Sequence, residues 1–186
     1  MNVLETGLPG LRVIEVDVYA DERGDFRETW NARTYAERGL GVDFVQDNLS
    51  RSKPRVLRGL HFQNPHPQGK LITVLQGQVY DVAVDIRVGS DTFGEWHGMK
   101  LSAENSRQLY VPEGFAHGFV VTSSEKVLFH YKCTDLYVPE AEGSIRWNDP
   151  VLDIDWPMED PVLSQKDNHA PVLENIPEER LTFEGV

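Results

Sequence analysis

The sequence predicts an all-β protein: a jelly-roll β-sandwich or barrel with short peripheral helices, in a single domain spanning residues 1–186. Three observations lead there. Short β-type runs recur along the chain, Pro and Gly punctuate it throughout, and its clearest run alternates with a period of two. Leu71-Ile72-Thr73-Val74-Leu75 is a short apolar run ended by a Gln76-Gly77 turn. From Val79 to Ile86, Tyr80, Val82, Val84 and Ile86 alternate with Asp81, Ala83 and Asp85, the pattern of a half-buried strand. Gln108 to Val111 reads as a strand stopped by Pro112-Glu113-Gly114, and Phe119 to Val121 and Val127 to Cys133 read as two more. On the last of these, Val127, Phe129 and Tyr131 share one face, so Tyr131 is expected to point inward with apolar neighbours. One helix is predicted over Asn31 to Arg38, with Asn31 as N-cap and Gly39 as stop signal. The stretch after Trp147, rich in Pro and Asp, is expected to pack as irregular chain with short helical turns.

With 40% hydrophobic and 26% charged residues, the chain has the balance of a globular protein with a sizeable core. No apolar run approaches the ~20 residues of a membrane span. The opening MNVLETGLPG lacks a basic n-region and an apolar h-region, so no signal peptide is predicted. The single cysteine, Cys133, allows no disulfide within the chain and points to the cytoplasm. A formal net charge of -12 argues against nucleic acid or an acidic membrane as partner. A small anionic ligand would need a local cluster of basic residues, and Arg23, Arg58, Lys70 and Lys166 fall in the most unusual segments.

Two segments carry candidate chemistry: Gly59-Leu60-His61-Phe62-Gln63 with Gln68-Gly69-Lys70, and Pro112-Glu113-Gly114-Phe115-Ala116-His117. Together they resemble the two halves of the cupin motif. In its metal-binding form, the first half supplies two His and a Glu and the second half one His. Here His61 and His117 match, but Gln63 and Lys70 stand at the other two positions. An ammonium has three donors and no acceptor, and it repels a divalent ion, so this set makes a poor metal site. A pocket with His, Lys, Arg and Tyr has the parts to remove a proton beside a ketone, hold the oxyanion and return the proton from the opposite side. A metal-dependent cupin oxygenase or isomerase and a non-catalytic sugar-nucleotide-binding cupin stay open at this point.

The order and spacing of further segments narrow the choice. Asp21-Glu22-Arg23-Gly24-Asp25-Phe26-Arg27-Glu28, Val45-Gln46-Asp47-Asn48-Leu49-Ser50, Val56-Leu57-Arg58-Gly59-Leu60-His61-Phe62-Gln63, Tyr131-Lys132-Cys133-Thr134, Trp147-Asn148-Asp149-Pro150 and Leu163-Ser164-Gln165-Lys166-Asp167 follow one another along the chain. From about Leu11 to Pro171, the chain resembles the dTDP-4-dehydrorhamnose 3,5-epimerase family of cupin-fold enzymes. The resemblance implies dTDP-4-dehydro-6-deoxy-D-glucose as substrate, with no cofactor and no metal. It implies His61 as base, Asp167 as the carboxylate that orients it, Tyr131 as acid and Lys70 as the stabiliser of the enolate oxygen. It implies substrate contacts from Arg23, Glu28, Gln46, Asn48, Arg58, His117, Glu142 and Lys166. Phe26 and Trp147 could offer aromatic surface to the base or the sugar, though core packing explains that pair equally well. It further implies a homodimer with exchanged strands, in which the segment bearing Arg23, Phe26 and Glu28 reaches the neighbouring site. Arg51-Ser52-Lys53-Pro54-Arg55 is more basic than the family's usual linker and is read as a solvated loop. A C3-only or C5-only epimerase would use the same base and acid, and the residues alone do not separate it from a double epimerase.

Overall fold

Residues 1–183 are described by a computed structural model, which has thirteen strands. In chain order they are β1 (Asn2–Glu5), β2 (Arg12–Glu15), β3 (Tyr19–Asp21), β4 (Gly24–Phe26), β5 (Gln46–Ser52), β6 (Leu57–Gln63), β7 (Lys70–Gln76), β8 (Gln78–Asp85), β9 (Trp96–Ser102), β10 (Arg107–Val111), β11 (Phe115–Val121), β12 (Val127–Cys133) and β13 (Glu142–Ser144). One sheet has the order β1-β2-β10-β7-β12-β5 and a second has the order β13-β6-β11-β8-β9, while β3 and β4 form a separate hairpin. The two large sheets face each other as a jelly roll. Ile72, Val74, Leu109, Val127 and Phe129 of the first meet Val79, Ala83, Leu101, Phe115, Phe119 and Val121 of the second in a common buried core. Burying these side chains supplies roughly 1.5–3 kcal/mol for each large one, the main favourable term in the fold.

Both outer faces are covered as well. The helix α1 (Ala32–Glu37) starts at Asn31, whose side chain accepts from the Arg33 and Thr34 amides, and Gly39 follows it at φ +86°. It brings Tyr35 onto the back of the first sheet, against Ile14, Leu71 and Tyr110. The C-terminal segment covers the second sheet, packing Leu152, Trp156, Leu173 and Leu181 on Leu57, Phe62, Val82, Val84 and Val120. Asp149 anchors this segment, accepting from the amides of Val151, Leu152 and Leu173. Short turns punctuate it, as its composition predicts: a helical turn α2 (Gln165–Asn168) and 3-10 turns at Leu173–Asn175 and Glu178–Arg180.

Two expectations change. The strand Val79–Ile86 is buried on both faces rather than half-buried, because the C-terminal segment removes its outer side from water. The basic stretch Arg51–Arg55 is only partly a loop: Arg51 and Ser52 complete β5 opposite Leu128 and Val127.

Candidate active site

Between the sheets lies a cavity of about 220 Å³. Among its lining residues are Arg58, His61, Lys70, His117, Tyr131 and Glu142, six of the positions singled out from the sequence. Strand periodicity explains most of this convergence. On β7, Lys70 shares the inner face with Ile72 and Val74, and on β12, Tyr131 shares it with Val127 and Phe129. On β5, Gln46, Asn48 and Ser50 alternate with the exposed Asp47 and Leu49, and Asn48 pairs with Tyr131 across the ladder.

Arg58 and His61 are three residues apart, and a regular strand would send them to opposite faces. The β6–β11 register pairs His61 with His117 but Arg58 with Phe119, so β6 holds one residue more than β11 across that interval. This bulge turns Arg58 and His61 to the same side, while Leu57, Leu60 and Phe62 pack outward. Gly59 sits at the kink with φ +119°, where a Cβ would lie 2.5 Å from Gly118 Cα.

His61 Nε2 is 2.6 Å from Asp167 Oδ1. Asp167 lies on α2, which packs against β6, and its side chain is 4% exposed. Ser164 caps that turn, accepting from the Asp167 amide and donating its hydroxyl proton to Asp167 Oδ2 at 2.8 Å. Burial raises the Asp167 pKa, but the hydrogen bonds from His61 and Ser164 and the nearby charges of His61 and Lys166 outweigh it, and the net pKa is lowered. An ionised carboxylate accepts at Nε2, so the ring proton resides there and Nδ1 keeps its lone pair.

Lys70 is 9% exposed. Burial pulls its pKa below the ordinary lysine value, opposed by Cys133, Glu142 and Glu113. Burial likewise lifts the Tyr131 phenol, with Cys133, Glu142 and Tyr137 adding to the rise and Arg58 opposing it, so the phenol keeps its proton at neutral pH. His117 Nε2 is 2.9 Å from Asp81 Oδ1, and Asp81 is fully buried with Oδ2 unpartnered among the described residues. Burial raises the Asp81 pKa and His117 lowers it, with a net rise. The Phe129 ring stacks on Phe119 with centroids 4.0 Å apart, and the His117 ring lies 6.1 Å from that of Phe129 at an interplanar angle of 25°.

The position at which the cupin motif has its second His is occupied by Gln63, and its amide is already committed. Its Nε2 donates to the carbonyls of His66 and Leu136, while Oε1 accepts from the Val138 amide at 2.8 Å. Among the described residues, no three His, Cys, Asp or Glu side chains come together as a metal-holding group.

At the rim, Lys166 Nζ lies 2.5 Å from Glu142 Oε1, and the Tyr137 hydroxyl donates to Glu142 Oε2 at 3.1 Å. Gln46 Nε2 donates to Asn48 Oδ1 at 3.1 Å, and Gln46 Oε1 accepts from the Tyr137 amide at 2.9 Å. Arg58 Nε donates to Ser52 Oγ at 3.0 Å. Arg23, Phe26 and Glu28 do not line the cavity. Arg23 and Phe26 sit on the exposed β3–β4 hairpin, where Phe26 is 69% exposed, and Glu28 accepts from Asn31 at the start of α1. Trp147 is also outside the cavity, packed with the cluster behind the second sheet. Residues missed by the sequence reading are Ser50 and Tyr137, which line the cavity, and Asp81 behind it; Gln68, also lining, stood in a quoted segment without a role. The alternation Gln46, Asn48, Ser50 was a usable signal for Ser50. Asp81 was hidden by the assumption that its strand face met water.

A jelly roll whose cavity gathers an imidazole, a phenol and an ammonium places the protein in the class of cupin-like epimerases. The chain belongs to the dTDP-4-dehydrorhamnose 3,5-epimerase family, whose model matches residues 5–175. It is 54% identical to the dTDP-4-dehydrorhamnose 3,5-epimerase of Salmonella typhimurium, over 94% of this chain and 96% of that one. Its fold superposes with a TM-score of 0.94 on the dTDP-6-deoxy-D-glucose-3,5-epimerase of Legionella pneumophila in complex with dTDP-4-keto-L-rhamnose, at 52% identity and covering 100% and 99% of the two chains. ChmJ, a 3'-monoepimerase from Streptomyces bikiniensis, is similar at 31% identity and a TM-score of 0.85, covering 94% and 88%. No helix of the described residues is long and apolar enough to cross a membrane.

Proposed function

We propose that this chain, acting as one domain, inverts C3 and C5 of dTDP-4-dehydro-6-deoxy-D-glucose to give dTDP-4-dehydro-L-rhamnose. His61 Nδ1 takes the proton from the carbon beside the C4 ketone, and the electron pair of that C–H bond moves to the ketone oxygen. The Lys70 ammonium holds the resulting enolate oxygen, the task a metal would otherwise perform. The Tyr131 hydroxyl then delivers a proton to the opposite face of the same carbon as the carbonyl re-forms. Solvent exchange resets the imidazolium and the phenolate. Asp167 keeps Nε2 protonated and stabilises the imidazolium. Arg58, Lys166, His117, Glu142, Gln46 and Asn48 bind the sugar and diphosphate. The observation that carries this proposal is that His61, Lys70 and Tyr131 share one cavity, with Asp167 at 2.6 Å from His61. Double rather than single inversion is supported by the higher identity to the 3,5-epimerases than to the 3'-monoepimerase. Turnover in deuterated water tests it: NMR should find deuterium at both C3 and C5 of the product, and label at one carbon alone would reject the double inversion.

We further propose a homodimer in which the exposed β3–β4 hairpin brings Arg23 and Phe26, with Glu28, to the neighbouring cavity. Its support is the exposure of Phe26 and the absence of these three residues from the cavity of their own chain. Mixing Arg23→Ala and His61→Ala variants should recover activity through hybrid dimers, and no recovery would place the hairpin outside catalysis. The buried free thiol of Cys133 suits the reducing cytoplasm, where we place the protein.

A further inference from the structure

We propose that Gln63 is a positioning residue that fixes Tyr137 as a rigid wall of the cavity, and that affinity for the sugar nucleotide depends on it. The inference rests on the substrate reading given above. Between the end of β12 at Cys133 and the 3-10 turn at Pro139–Ala141, the chain is irregular. Its peptide groups have no ladder or helix to bond to and need other partners. The side-chain amides of three glutamines supply them. Gln68 Nε2 donates to the Asp135 carbonyl at 2.8 Å, and Gln63 Nε2 donates to the Leu136 carbonyl at 3.0 Å. Gln46 Oε1 accepts from the Tyr137 amide at 2.9 Å, and Gln63 Oε1 accepts from the Val138 amide at 2.8 Å.

Of the three, Gln63 grips the backbone on both sides of Tyr137. It is 4% exposed, and its Nε2 also donates to the His66 carbonyl, which ties the same amide to the β6–β7 connection. Both of its N–H protons are therefore taken up by backbone carbonyls, and it has none left to offer a substrate. Its influence on the cavity has to pass through the segment it holds.

Packing gives Tyr137 little hold, since the residue is 49% exposed. Its other fixed point is the hydroxyl, which donates to Glu142 Oε2 at 3.1 Å. Glu142 stands directly opposite Gln63 in the β6–β13 ladder. Tyr137 is thus fastened at its backbone and at its hydroxyl to one facing pair of residues, and in that position it lines the cavity. A wall held before substrate arrives spares the ordering cost that a loose segment would add on binding.

The test is Gln63→Leu, which keeps the bulk and removes the bracket. The Val138 amide should exchange with deuterated water roughly tenfold faster or more, read by NMR. Thymidine diphosphate should bind roughly tenfold more weakly by calorimetry, and KM should rise with it, while kcat falls less than about threefold. Unchanged exchange at Val138, or unchanged affinity, in folded Gln63→Leu protein would overturn the proposal. A double-mutant cycle separates this route from general damage to the fold: in a Tyr137→Ala background, adding Gln63→Leu should weaken binding no further. A second loss as large as the first would overturn the proposal equally. Should Gln63→Leu fail to fold, Gln63→Glu keeps the acceptor for Val138 but has no proton for Leu136, and it too should raise KM; an unchanged KM there would count against the bracket. If wild-type protein itself failed to bind thymidine diphosphate, the substrate reading would fall, while exchange at Val138 would still judge the hold of Gln63 on the segment.

Discussion

His61 and Asp167 are 106 residues apart in sequence and 2.6 Å apart in space. Strand β6 supplies the imidazole from inside the barrel, and the C-terminal segment supplies the carboxylate from outside it. The pair fixes the tautomer of the ring, and several consequences follow from its geometry.

Asp167→Asn should lower kcat by roughly 10³–10⁴ with KM little affected, the scale seen when a carboxylate behind a catalytic imidazole becomes an amide. The amide can donate to Nε2 and leave the proton on Nδ1, the wrong nitrogen for a base. Steady-state kinetics checks this, and a loss under tenfold would remove Asp167 from the base.

The same carboxylate predicts a pH dependence of stability. Its pKa is lower in the folded protein than in the unfolded chain, so it stabilises the fold at neutral pH. That contribution is fully present above the unfolded value of about 4 and is lost as the pH falls through the folded value. Thermal melts of wild type and Asp167→Asn should therefore converge in acid. A gap that stayed constant from pH 7 to pH 3 would contradict the linkage.

Lys70→Met should trade activity for stability. Burial disfavours the ammonium, so an apolar side chain of similar length should raise Tm, by about 1 kcal/mol of stability or more. The rate should fall by roughly 10²–10³ as the oxyanion loses its cation. Calorimetry and turnover on one preparation decide the matter, and a variant that is both less stable and fully active would refute it.

Tyr131→Phe should separate the two halves of the reaction. Epimerised product should fall by roughly 10²–10⁴, while deuterium uptake at the carbon facing His61 should survive better. Equal loss of both signals would mean that Tyr131 acts before the proton leaves.

Gly59→Ala should cost about 2 kcal/mol or more in denaturant unfolding, because its Cβ meets the backbone of Gly118 and His117 at a positive φ. Gly89→Ala, also at positive φ but with nothing within 4 Å, should cost only about 1 kcal/mol. Similar costs at the two positions would show that crowding at the bulge is unimportant.

Local patterning carried much of this fold into view. The alternation along Val127–Cys133 put Tyr131 on the inner face, and the Asn31 cap and Gly39 stop bracketed α1, because each depends on neighbours in sequence. Convergence across the chain was another matter. No periodicity in β6 announces that Arg58 and His61 face the same way, since the extra residue is defined only against β11. Asp81 was misjudged for a similar reason: it lies on the Val79–Ala83 face of β8, which turns into the barrel, and its partner His117 comes from β11, more than thirty residues later in the chain. The role proposed for Asp167 came from the family resemblance alone, whereas that proposed for Lys70 was also legible in its place at the cupin motif's Glu position.

Among the described residues, those lining the cavity lie at or before Glu142, yet the carboxylate paired with His61 comes from α2. A ribosome emits the chain N-terminus first, so β6 with His61 is made before α2 with Asp167. On the role proposed for Asp167, catalytic competence thereby waits on the docking of α2 behind β6.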